Sequence, residues 1–215
     1  MQTEAPYRPE LQDLYFLHTL ITQKKRTTVL EFGCGWSTQV MAHALALNRE
    51  KYDISHLRRN NPFELHTVDD VEHWIEVAKQ RTNDSHVHFY YSPVRMTQWN
   101  GRITTEYESL PLVNPDLIYL DGPDQFDVQG DINGITTGHK DMMPMSCDIL
   151  KVEHFLTPGT IIVTDGRTAN ARFLKRNLQR SWEYEHQKDG DRHIFTLVEE
   201  PLGKHNENQL LFYEQ

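Results

Sequence analysis

Apolar positions in this chain switch between two periodicities. Between Leu11 and Gln23 they fall at Leu11, Leu14, Tyr15, Leu17, Leu20 and Ile21, the spacing of an amphipathic helix. Thr27 to Phe32 is a short apolar run and predicts a strand that ends in a glycine turn. Val40, Met41, Ala44, Leu45 and Leu47 then resume helical spacing, so Ser37 to Asn48 reads as a helix. Further strands are predicted at Leu65–Val68, Val87–Tyr91, Leu117–Leu120 and Thr160–Thr164, with helices at Val71–Arg81, Ser146–Phe155 and Ala169–Gln179. Trp182–Gln187 and His193–Glu199 read as two strands joined at Lys188-Asp189-Gly190-Asp191, and Leu210–Tyr213 as a final strand. Two polar stretches break the pattern, residues 49–63 and 123–144, and both are expected to be insertions.

Alternating strands and helices predict an α/β fold, a doubly wound, mostly parallel sheet with helices on both faces and a C-terminal antiparallel hairpin. The whole chain, 1–215, is expected to be a single domain, because no Ser/Gly/Pro-rich linker divides it. Ligands of such sheets sit at the carboxyl ends of the strands. Glu31, Asp69, Asp121 and Asp165 occupy those ends.

Composition narrows the partners. Lys and Arg number 22 against 31 Asp and Glu, a net charge of −9, which argues against nucleic acid or anionic membrane as a partner. The two cysteines, Cys34 and Cys147, are too few for a disulfide framework. Met1–Pro6 lacks the basic-then-apolar pattern of a signal peptide, so the cytoplasm is the expected location.

Gly33 and Gly35 follow a strand and precede a helix, the context in which a glycine turn brings backbone and helix N-terminal amides to a ligand. Ser37 and Thr38 are positioned to cap that helix. Thr38 stands where a dinucleotide fingerprint has its third glycine, and Glu31 is unusual for a pyrophosphate site. A positively charged ligand such as S-adenosylmethionine suits Glu31 better. Asp69, or else its neighbour Asp70, is placed to accept hydrogen bonds from ribose hydroxyls.

Four segments resemble the class I S-adenosylmethionine-dependent methyltransferases: Val29–Thr38, Leu65–Trp74, Pro115–Pro123 and Phe155–Gly166. The resemblance spans roughly residues 10–200 and is nearest to the catechol-type and macrolide-sugar O-methyltransferases. It implies a seven-stranded sheet and methyl transfer from S-adenosylmethionine. Glu31, Gly33, Gly35 and Ser37 would hold its methionine part, Asp69 its ribose, and the Tyr91-Ser92 region its adenine, with Ser92 as the contact. It also implies that Asp121 and Asp165 would hold a divalent cation such as Mg2+ beside the acceptor. Gly166 departs from that pattern by replacing one ligand, for which Asp124, Asp127 or Asn170 are the substitutes on offer. Without metal, Asp121, His139 and Lys140 are the candidate bases, and Arg167 and Arg172 could grip an anionic acceptor. The polar 123–144 segment suits a small-molecule or glycan acceptor. The competing readings are an NAD- or nucleotide-sugar-binding Rossmann enzyme and a non-catalytic S-adenosylmethionine-binding module.

Overall fold

The computed structural model describes residues 9–214, so Met1–Pro6 and the expectation placed on it lie outside the described residues. Seven strands form the main sheet: β1 (Thr28–Phe32), β2 (Glu64–Asp69), β3 (Val87–Tyr91), β6 (Leu117–Leu120), β7 (Ile161–Asp165), β8 (Trp182–Gln187) and β9 (Arg192–Leu197). A separate hairpin, β4 (Val94–Trp99) and β5 (Arg102–Tyr107), lies between β3 and β6 in sequence. The sheet order is β3-β2-β1-β6-β7-β9-β8, and all pairings are parallel except those of β9, which runs antiparallel between β7 and β8. Strand order therefore reverses between β1 and β6, where a crevice opens at their carboxyl ends.

Six α-helices accompany the strands: α1 (Leu11–Gln23), α2 (Trp36–Lys51), α3 (Glu72–Arg81), α4 (Asp148–Val152), α5 (Thr168–Asn177) and α6 (Lys204–Glu214). Side-chain alternation along the parallel strands divides the core in two. Val29, Leu65, Leu117, Tyr119 and Val163 pack against Leu17 and Ile21 of α1 and Met41 and Leu45 of α2. Leu30, Phe32, Val68, Ile118, Leu120 and Ile162 face the other way, onto Ile149 and Leu150 of α4 and Leu174 of α5. With both faces covered, the central strands β1, β6 and β7 are almost wholly buried, which is why they read as short apolar runs in the sequence.

Two expectations fail. The final strand at Leu210–Tyr213 is instead the last part of helix α6. Asn206, Gln209 and Phe212 are its buried positions, three residues apart, so docking one helical face outweighs the β-propensity of a four-residue apolar run. Tyr213 donates its hydroxyl to the buried Asp116, whose carboxylate also accepts the backbone N–H groups of Thr27 and Thr28. The tail thus seals the end of the sheet opposite the crevice.

The second failure is the hairpin β4–β5, absent from the sequence reading. Its two-residue turn is Asn100-Gly101, with φ of 48° and 75°, the left-handed pair that a tight hairpin turn requires. The hairpin also explains the long 123–144 segment. Gln129 exchanges backbone hydrogen bonds with β4, and Met145 and Cys147 exchange them with Thr105 of β5. The segment wraps both edges of the hairpin. Among the described residues, no helix is long and apolar enough to cross a membrane.

Candidate functional site

A cleft of about 790 Å³ lies over the carboxyl ends of β1, β2, β6 and β7, a volume ordinary for a small-molecule site. Its floor is two backbone turns in contact. Gly33 ends β1 at φ 87°, and a Cβ built there would lie 2.8 Å from the backbone nitrogen of Gly122 in the β6 turn. Asp121 N donates to Phe32 O at 3.0 Å, which holds the two turns together. Gly33 is therefore fixed by the fold. Gly35 is not: its φ of −179° is open to any residue, and a Cβ there meets nothing of the protein within 4 Å. It lines the cleft, so its bare backbone faces space that a ligand can fill.

Glu31 is fully buried and does not line the cleft. Its two carboxylate oxygens accept hydrogen bonds from Ser37 Oγ at 2.5 Å and Thr38 Oγ1 at 2.7 Å, and Thr38 Oγ1 in turn accepts Gly35 N–H at 2.9 Å. Burial pushes the Glu31 carboxyl up to about 8, against the lowering effect of these bonds. The expected ligand contact is thus replaced by a brace. Glu31 holds the N-terminus of α2 onto β1 and shapes the turn from behind, while Ser37 lines the cleft.

Asp69 lines the cleft and is committed to the backbone as well. Oδ2 accepts Cys34 N–H at 2.7 Å and Oδ1 accepts Val71 N–H at 2.8 Å, leaving each oxygen one further lone pair. Asp70 points elsewhere in the same cleft. Its buried Oδ2 has no partner in the protein, and burial beside Asp69 pushes its carboxyl up to about 7. Ser92 is fully buried, and its Oγ accepts Ser109 N–H at 2.9 Å; neither it nor the exposed Tyr91 lines the cleft. The cleft extends instead along α3, where Trp74, Val77, Ala78 and Arg81 face Trp36, and the Arg81 guanidinium sits 4.2 Å from the Trp36 ring centre. The sequence reading missed this aromatic wall. Its signal was present in Trp36 immediately after the glycine turn and in Trp74 four residues after Asp70.

Asp121 and Asp165 both line the cleft at the ends of β6 and β7. Asp165 Oδ2 accepts the Tyr119 hydroxyl at 2.9 Å; burial, with Asp13 and Asp121 nearby, pushes its carboxyl up to about 6. Asp121 opens into the cleft, and the surrounding protein raises its carboxyl above the usual range while Arg167 pulls it down. Arg167 donates to the backbone oxygens of Asp121 at 2.6 Å and Pro123 at 2.8 Å, so it fastens the turn that carries Asp121. Arg172 is exposed and off the cleft.

The donor set does not fit a bound Mg2+. Gly166 brings no ligand, and Asn170 is fully buried with its amide spent on the backbone of Ser146, accepting at 2.9 Å and donating at 3.1 Å. Asp127 is off the cleft, and among the described residues no third acid or imidazole closes a cluster with Asp121 and Asp165. His139 is also off the cleft; it is exposed, and its Nδ1 accepts Asp141 N–H at 3.1 Å. The reason is the wrapping of the 123–144 segment, which brings Asp124, Gln125 and Phe126 to the cleft and carries His139 away.

Among the described residues, nine carboxylate side chains line the cleft against three cationic ones, Arg81, Arg167 and Lys188. Such a surface favours a cation and disfavours a polyphosphate.

No family model matches the chain, and no curated protein is similar to it in sequence. Among solved structures it is similar to a protein of Klebsiella pneumoniae named as a candidate O-methyltransferase, at 14% identity and TM-score 0.50, covering 91% of this chain and 84% of that one. It is also similar to a Streptomyces achromogenes O-methyltransferase of tomaymycin synthesis in complex with S-adenosylmethionine, at 15% identity and TM-score 0.48, covering 90% and 82%. A Bacillus cereus O-methyltransferase in complex with S-adenosylhomocysteine follows, at 14% and 0.47, covering 91% and 84%. Counted within the sheet alone, the strand order here is 3-2-1-4-5-7-6, and the chain shares the Rossmann-like fold of the Klebsiella pneumoniae structure.

Proposed function

We propose that the chain is an S-adenosylmethionine-dependent O-methyltransferase acting on a small polar or sugar-like acceptor. The observation that carries this reading is Gly35: a bare backbone position that the fold does not require, opening onto an acid-lined cleft at the switch point of the sheet. When bound, S-adenosylmethionine supplies a methyl group already activated on a sulfonium. The chain's own residues then have three tasks. Gly33, Gly35 and Ser37 present the turn and the N-terminus of α2 to the methionine part, with Glu31 bracing them from behind. Asp69 and Asp70 offer carboxylate oxygens to ribose hydroxyls, and Trp36 and Trp74 form a flat wall for a purine.

Asp121 is assigned the acceptor. Its raised carboxyl can hold a hydroxyl and accept its proton as the oxygen becomes a nucleophile. Asp165, held by Tyr119, keeps a second acceptor oxygen nearby. Arg167 fixes the Asp121 turn, which aligns the reacting groups and limits their motion. No step is assigned to a metal.

Calorimetric titration of the folded chain with S-adenosylhomocysteine tests the reading. Saturable one-site binding supports it. Absence of binding, or preferential binding of NAD, overturns it.

A further inference from the structure

A second group of chemistry-bearing side chains lies away from the cleft. Glu64 and His66 are two residues apart on β2 and so share one face of the sheet. His88 of β3 is the register partner of His66. The two imidazoles stack with ring centres 4.8 Å apart, and both direct Nε2 at one carboxylate oxygen: His66 at 3.1 Å and His88 at 3.3 Å from Glu64 Oε2. The three ligand atoms lie within 4.8 Å of one another. Glu64 begins β2 and Asp69 ends it, which separates this cluster from the cleft by about 16 Å of strand.

The geometry points to a binding site here for one zinc-type divalent cation, with Glu64, His66 and His88 as ligands. Zinc bonds to imidazole nitrogen and carboxylate oxygen of about 2.0–2.1 Å place tetrahedral ligand atoms about 3.4 Å apart, close to the observed spacing. Two imidazoles with one carboxylate suit zinc and its late first-row neighbours better than magnesium or calcium, which prefer all-oxygen shells.

The surroundings are already those of a metal site. Tyr90 hydroxyl lies 3.0 Å from His66 Nδ1, and Asn61 Nδ2 donates to Glu64 Oε2 at 2.9 Å, so each holds one ligand from behind. His88 Nε2 is buried with no well-formed hydrogen bond, an orphan that a cation would satisfy. Bound metal would clip the edge strand β3 to β2.

This inference does not rest on the methyltransferase reading. The experiment is zinc titration of the metal-free full chain by calorimetry, with visible absorption of the cobalt-substituted protein as a second readout. Expected are one equivalent bound, a four-coordinate cobalt spectrum, and affinity at least about 10-fold weaker in both His88→Ala and Glu64→Gln. His186→Ala, in the other His/Asp group formed with Asp191 and His193, should leave affinity unchanged. Circular dichroism establishes that each variant is folded, and Glu64→Gln carries the test if His88→Ala is not. No stoichiometric uptake by the wild type, or uptake that survives both substitutions or is lost in His186→Ala, overturns the proposal.

Discussion

The two sides of the cleft floor are built on opposite plans. On the β1 side the polar groups are tied into the protein: Glu31 by Ser37 and Thr38, and Asp69 by two backbone amides that leave each of its oxygens one lone pair. What faces the cleft there is largely main chain. On the β6 and β7 side the side chains face the cleft, with Asp121 open and Asp165 tied only to Tyr119. A wall of braced backbone is rigid and suits a constant ligand. A wall of raised, under-committed carboxylates can change its proton load and suits a reacting one.

Breaking the braced wall should have the largest effect. Gly33→Ala places a side chain at φ 87° against the Gly122 backbone, and should cost about 3 kcal/mol or more in a denaturant unfolding titration. A stability change under about 1 kcal/mol would mean that the two turns move apart readily. On the open wall, Asp121→Asn should lower kcat by about 10²- to 10⁴-fold while leaving S-adenosylhomocysteine affinity nearly intact. Equal loss of both would transfer Asp121 to the cofactor wall. Gly35→Ala separates fold from ligand: stability should hold or rise by up to about 1 kcal/mol, while affinity falls about tenfold or more.

The remaining effects are those of pH. Glu31 ionises near its ordinary 4.5 in the unfolded chain and near 8 in the fold. Across that window the native state keeps a proton that the unfolded chain has lost, so its contribution is full at low pH and declines as pH rises towards 8. The melting temperature should therefore be lower at pH 8 than at pH 6, and Glu31→Gln should shrink the difference. The under-committed carboxyls of the cleft behave differently. Asp70 at about 7 and Asp165 at about 6 must lose protons to favour a cationic ligand. Affinity for S-adenosylhomocysteine, through its ammonium, should rise from about pH 5 to 8 and then level off.

The contrast between the walls also explains what was readable in the sequence. Strand and helix positions follow from burial, and Leu117–Leu120 and Val87–Tyr91 were recognisable to the residue. Gly33 announced a turn because only a small set of residues tolerates its backbone. The hairpin β4–β5 was missed although its signal was present, since Asn-Gly between two extended runs marks a tight hairpin turn. Helix α6 was not readable: Leu210–Tyr213 is too short for periodicity to distinguish strand from helix, and its docking partners, Asp116 and Gly159, are distant in sequence. The site was legible as a set of acids at strand ends. Which acids are spent and which are free depends on partners such as Cys34 N–H for Asp69 and Tyr119 for Asp165, and no linear spacing reveals those.

The contact between Gly33 and Gly122 has a consequence for inheritance. Each position excludes a side chain at the other: a Cβ on Gly122 would lie 2.7 Å from Gly33 N, just as one on Gly33 would meet Gly122. Neither residue can drift while the other stays, because the obstacle is main chain and no compensating side-chain change removes it. The loop that carries Asp121 is therefore free to vary in what it displays, but not in where it starts. Change in what this loop displays would have to arise beyond residue 122, on an anchor that selection holds as a pair.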